Sequence, residues 1–161
     1  MSPKFWKLSQ GPEHFRLDEI LWSIEKRLAY VHKDSGAKGL SSKTQAQEFI
    51  DAPIGDYFYL THGTIGIYLV GQLVGPANIF SEYGDGWIDR QFRLIFRSIT
   101  RDPYNGTLKK WWTPNENSTF TPVPPDELPL FEEHILKPYF DKTLKKYGLN
   151  KSGTLAKKKG I

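Results

Sequence analysis

The chain has 161 residues, a formal net charge of +4 and no cysteine. That length suits a single hydrophobic core, and the missing thiols exclude a disulfide framework, a thiolate metal site and a cysteine nucleophile. No apolar run approaches the roughly 18–20 residues of a membrane helix, and none follows the first charges, so the expectation is a soluble, cytoplasmic protein. The basic balance suits a polyanion, and five Trp, eight Tyr and ten Phe supply more aromatic surface than such a core requires, which points to rings serving a ligand.

Residues 4–9 alternate polar and apolar positions up to Gln10-Gly11-Pro12, predicting a short first strand and a turn. Within residues 15–31, Phe15, Leu17, Ile20, Leu21, Ile24 and Leu28 recur mostly at helical spacing, predicting one amphipathic helix from about Leu17 onward. Residues 33–42 are rich in Gly, Ser and Lys and read as a basic loop suited to phosphate, before a short helix over 44–50. Gly55-Asp56 signals a turn; residues 57–62 and 66–74 then form two β-rich runs around Gly63-Thr64-Ile65-Gly66. A glycine-rich segment, 81–87, places Trp87 at the start of another strand, residues 90–99. Residues 103–121 are polar and irregular and carry Lys109-Lys110-Trp111-Trp112, four prolines punctuate 122–129, and a last helix is predicted from about Leu130 to Tyr139. The expected division is a recognition domain over residues 1–140 and a basic tail or linker over 141–161.

Nucleotide-binding glycine patterns, a nucleophile elbow and metal-ligand spacings are absent. His14, His32, His62 and His134 are scattered, and the pairs Asp18-Glu19 and Glu132-Glu133 fall on helix surfaces, so no metal, no cofactor and no catalytic residue is expected. What remains is aromatic residues in loops beside basic ones, the combination that stacks a base and holds its phosphates. A base extruded from a duplex recovers its stacking between rings in a closed pocket, and an apolar cage there can also test for an added methyl group.

The order of segments resembles the EVE and YTH domains of the PUA-like superfold. Lys4-Phe5-Trp6-Lys7-Leu8-Ser9 is similar to their first strand and residues 15–21 to the start of their first helix. Residues 45–56, 59–62 and 66–74 resemble the following helix, Gly-Asp turn, His-containing strand and returning strand. Residues 86–92 resemble the tryptophan-containing start of the next strand, and 118–127 the late Pro-Val segment. The likeness spans roughly residues 4–139. It implies an α+β fold in which a central mixed, twisted sheet or partial barrel is flanked by helices. It also implies a reader of modified bases, akin to the N-terminal specificity modules of McrB-type, modification-dependent restriction systems.

Carried over by position, the resemblance makes Trp87 one wall of a base cage and Trp22 the opposing wall, with Ser9 and His62 as polar contacts to the base edge. Where EVE domains carry a tryptophan-bearing run, this chain has Gly39-Leu40-Ser41-Ser42-Lys43-Thr44, so Tyr30 or Phe80 stands in reserve as the second wall. Trp6 reads as strand packing or as a further pocket residue. Lys33, Lys38, Lys43, Arg90, Arg93, Lys109 and Lys110 are the candidates for gripping the nucleic-acid backbone. Two functions stand on this reading. One is a non-enzymatic module that flips and reads a methylated base in DNA, fused to or partnered with a nucleotide-driven motor and a nuclease. The other is an RNA-binding PUA-like reader of a modified ribonucleotide. A remoter third is a protein-interaction domain with a basic surface.

Overall fold

A computed structural model of the protein describes residues 3–39 and 41–145. Six strands form one sheet: β1 (Phe5–Ser9), β2 (Leu28–His32), β3 (Tyr57–Thr61), β4 (Ile67–Leu73), β5 (Trp87–Arg97) and β6 (Phe120–Pro122), in the order β2-β5-β4-β3-β1-β6. β1 and β3 run parallel; every other neighbouring pair is antiparallel. β5 is the long strand that curls the sheet. Its first half, 87–91, pairs with β2, its second half, 92–97, pairs with β4, and the β4 register shifts at Val70/Gly71. With helices α1 (Leu17–Lys26) and α2 (Gln45–Asp51) on one face and the C-terminal helical segment on the other, this is a PUA-like partial barrel flanked by helices.

Alternation along the strands builds two cores, because successive side chains of a strand point to opposite faces. Trp6 and Leu8 of β1 and Phe58 and Leu60 of β3 join Ile20 of α1 and Phe49 of α2 on one face. Phe5 and Tyr59 join Trp112, Phe131, Ile135 and Phe140 on the other. Trp6 is therefore core: its indole stacks on Phe120 at 4.2 Å between centroids, and its Nε1 donates to Asp56 at 2.8 Å. It does not line the cavity beside Trp87 and instead borders a separate hollow with Lys4, Pro53 and Asp56.

The first helix is shorter than the sequence pattern suggests. Arg27 takes a left-handed conformation at φ 58°, its N–H closes onto the Ser23 and Ile24 carbonyls, and the chain leaves directly into β2. Leu28 fits either period, but Tyr30 and Val31 favour a strand and pair with Asp89 and Ile88. The predicted helix over 44–50 forms as α2, with Thr44 Oγ1 accepting the Gln47 N–H at 3.1 Å. The last helical segment is continuous, from α3 (Leu128–Phe131) through a π-helical stretch (Glu132–Leu136) into α4 (Lys137–Phe140). Packing continues past residue 140: Leu144 is buried in the second core and its N–H reaches Glu132 Oε2 at 3.0 Å. The rest of the predicted tail lies outside the described residues. Among the described residues, no helix is long and apolar enough to cross a membrane.

Candidate functional site

Five segments converge on a cavity of about 450 Å³: the end of β1 with Ser9, Gln10 and Gly11, the approach to α1 with His14 and Phe15, the end of β2 with His32, Asp34 and Ser35, Trp87 at the start of β5, and Thr119 before β6. That volume falls in the usual range for small-molecule pockets. Backbone bonds fix its frame. The Ser9 N–H donates to Thr119 O and the Gln10 N–H to Thr61 O, each at 2.8 Å, while Gln10 Nε2 donates to Tyr30 O at 2.9 Å.

The aromatic side of the cavity is made by Trp87 and Phe15. Phe15 meets Trp87 edge-on at 5.2 Å and stacks on Tyr83 at 5.2 Å with 10° between planes. His32 meets Trp87 edge-on at 5.0 Å. The glycine-rich loop exists to permit this contact: Gly86 has φ +81°, and a Cβ there would lie 2.8 Å from His32 Nε2. His32 Nδ1 accepts the Asp34 N–H at 3.1 Å, which leaves the proton of the neutral ring on Nε2. Tyr83 anchors the loop to α1 by donating to Glu19 Oε2 at 2.8 Å. The Arg16 N–H, followed by that tyrosine, holds the Glu19 carboxyl below the ordinary carboxylate range, and burial together with Glu19 pushes the Tyr83 hydroxyl up.

Of the residues proposed from sequence for the pocket, Trp87 and Ser9 line this cavity. Trp22 does not. It lies in a separate shallow cleft with Asp18, Glu19, Glu82 and Tyr83, an acidic setting unsuited to phosphate; the other ring lining the cavity is Phe15, 2% exposed and packed edge-on against Trp87. Tyr30 is buried behind the wall, in contact with Phe15, Trp22 and Tyr83. Phe80 is 83% exposed on the 75–86 loop and does not line this cavity. His62 acts one step back: its Nε2 donates to Phe15 O at 2.7 Å, so it positions the wall instead of touching a base, while its buried Nδ1 has no partner among the described residues.

The basic candidates divide similarly. Arg90 is 2% exposed and its guanidinium is spent on the carbonyls of Phe49, Ala52 and Gly75, capping the C-terminal end of α2; it is a structural cation and cannot reach phosphate. Lys43 pairs with Asp51 at 2.9 Å and Glu48 at 3.9 Å. Arg93 is exposed but donates to Gln72 and borders the apolar hollow around Phe96 and Leu136. Lys33 is exposed, 3.9 Å from Asp34, and its backbone N–H bonds to Gly86 O at 2.7 Å, beside the cavity. Lys38, Lys109 and Lys110 line a second cleft with Trp111.

Sequence reasoning missed Phe15, His14, His32, Gln10 and Thr119 as cavity residues. Phe15 looks like the first apolar position of a helix face, and Gln10-Gly11 like an ordinary turn; the usable signal was that a turn directly after β1 faces the start of β5. The lining combines the Trp87 and Phe15 rings with hydroxyl, amide and imidazole groups, a mixture that suits a planar ligand with hydrogen-bonding edges. Among the described residues no three His, Asp or Glu side chains are placed to hold a metal ion.

No family model matches the sequence, and no curated protein matches it. A solved structure does share the fold. A Pseudomonas putida protein aligns at a TM-score of 0.50 and 12% identity over 80% of this chain and 97% of its own. An Agrobacterium tumefaciens protein aligns at 0.48 and 14% over 83% and 89%, and a Leishmania major protein at 0.37 and 13% over 75% and 87%. At such identities the likeness to the first is one of fold alone.

Proposed function

We propose that this chain is a nucleic-acid recognition module that reads a methylated base in DNA, taking the flipped base into the cavity beside Trp87. In this reading it is an EVE/YTH-like binding domain without catalysis of its own. It acts in the cytoplasm and targets a McrB-type, modification-dependent restriction system whose motor and nuclease reside in other domains or subunits.

One observation carries the proposal: the Trp87 and Phe15 rings line one cavity together with Ser9, Gln10 and Thr119, beside the segment that carries Lys33 and Lys38. Such a site offers a base a stacking surface and a hydrogen-bonding edge together. A methyl group filling apolar space there is worth about 1–3 kcal/mol of discrimination.

The test is a titration against one short duplex in four versions: unmodified, N6-methyladenine, 5-methylcytosine and 5-hydroxymethylcytosine. One modified duplex binds about 10- to 100-fold more tightly than the unmodified one. Trp87→Ala, still folded by circular dichroism, loses that preference. Equal binding to all four, or a preference untouched by Trp87→Ala, overturns the reading, and the same panel in RNA then decides for a modified-ribonucleotide reader.

A further inference from the structure

A second cleft, of about 530 Å³, is lined by Lys38, Gly39 and Ser41 and by residues between Lys109 and Glu127. Its centre is Trp111, which is 42% exposed although its neighbour Trp112 is fully buried. The backbone beneath Trp111 is fixed, because its carbonyl accepts from the Ser118 and Thr121 hydroxyls. The basic loop closes on the indole from the other side: a Cβ on Gly39 would lie 3.2 Å from Trp111 Cδ1, and Lys38 Nζ sits 6.0 Å from the ring centroid.

Charge in the cleft is mixed but not balanced. Lys110 pairs with Glu127 at 3.2 Å, and Trp112 Nε1 donates to the same carboxylate at 2.7 Å. Glu116 also borders the cleft. Lys38 and Lys109 have no acidic partner among the described residues, so two free cations flank an exposed indole.

The cleft is also next to the first cavity through the chain itself. Asp34 and Ser35 line the cavity and Lys38 and Gly39 the cleft; Thr119 lines the cavity and Thr121 the cleft. The two sites thus draw on the same loop and the same sheet edge.

We infer that the Trp111 cleft binds a nucleotide flanking the one held at Trp87, the indole stacking its base while Lys38 and Lys109 take its phosphates. The inference rests on the base-reading proposal only for which strand is bound. Stacking tolerates any base, so this site adds affinity and sets how the strand runs, without adding preference for a modification.

The experiment compares wild type, Trp111→Ala and the double variant Lys38→Ala/Lys109→Ala on two probes: an unmodified oligothymidylate of about eight nucleotides, which falls within the usual site sizes, and the modified and unmodified duplexes. Trp111→Ala weakens binding to each probe about 5- to 100-fold and leaves the modified-to-unmodified ratio unchanged. The double variant flattens the log affinity against log salt slope for oligothymidylate by about 1.4. Wild-type affinity for oligothymidylate in folded Trp111→Ala overturns the inference. So does competition by polyglutamate as effective as by oligothymidylate, which would make the cleft a surface for acidic proteins. Binding that depends on Trp111 without any preference for a modified base overturns the base-reading proposal and keeps the cleft.

Discussion

Lys7 is an ionisable side chain in the middle of a sheet. It is fully buried on β1, and its Nζ donates to Thr113 O and Glu116 O, each at 3.0 Å. Burial lowers its pKa from 10.5 to about 7, against the opposing attraction of Glu116. The unfolded chain keeps the ordinary value, so between about pH 7 and 10.5 the unfolded state binds the proton that the folded state lacks, and stability rises with pH. Each pH unit in that window is worth up to about 1.4 kcal/mol, and the interval from pH 7.5 to 9.0 about 2 kcal/mol. Below about pH 7 both states are protonated and the contribution to the slope vanishes. Above about pH 10 the buried tyrosines, whose hydroxyls ionise first in the unfolded chain, reverse the trend. Lys7→Met removes the titration and leaves two carbonyls without their donor, an offset that does not vary with pH. Urea unfolding followed by tryptophan fluorescence at pH 7.5 and 9.0, at one ionic strength, should show the stability difference between wild type and Lys7→Met growing by about 2 kcal/mol. Parallel pH profiles for the two proteins would refute the claim that the fold holds Lys7 as a nearly neutral amine.

Two further substitutions probe how the cavity is held. Gln45 Oε1 accepts the Thr119 and Phe120 N–H groups at 2.6 and 2.8 Å while its Nε2 donates to Gly36 O at 3.0 Å, so Gln45→Ala should cost about 2–4 kcal/mol in denaturant unfolding and speed amide exchange at 119 and 120; unchanged exchange there would remove Gln45 as the clamp on that edge. Gly86→Ala places a side chain at φ +81° and against His32 Nε2, so it should lower stability by roughly 1–2 kcal/mol and weaken the preferred duplex; a variant as stable and as tight-binding as wild type would show that the loop and His32 move apart freely.

Most strands were legible because each is a run rich in β-branched, aliphatic and aromatic residues bounded by glycine or proline turn signals, as in residues 57–62 and 66–74. The break at Arg27 was not, because Ile24 and Leu28 satisfy a helical period across a point where only the backbone, turning left-handed, changes state. β6 was invisible for another reason: three residues ending in a proline make a strand only because β1 and Gln45 supply the partners. Composition misled most on charge. Arg90 lies between a buried Asp89 and an exposed Gln91, and nothing local says that three carbonyls from distant segments surround its guanidinium. Trp87 was recognisable from its glycine-rich approach, whereas its true partner, Phe15, was masked by a conspicuous helical tryptophan, Trp22, that faces an acidic cleft.

The edge strand links these results. An exposed three-residue edge is ordinarily the weakest part of a sheet. Here β6 hydrogen-bonds β1 on one side, and Gln45 takes the N–H groups of Phe120 and of Thr119 just before it. Lys7, in the same stretch of β1, ties down the 113–116 turn that leads into β6. Thr119 reaches the Trp87 cavity and Thr121 supports the backbone under Trp111, so a shift of this edge by a single residue would turn both to the opposite face and dismantle both sites. The buried polar groups Gln45 and Lys7 thus fix the register on which both sites depend, and loss of either clamp should disturb binding at Trp87 and Trp111 together.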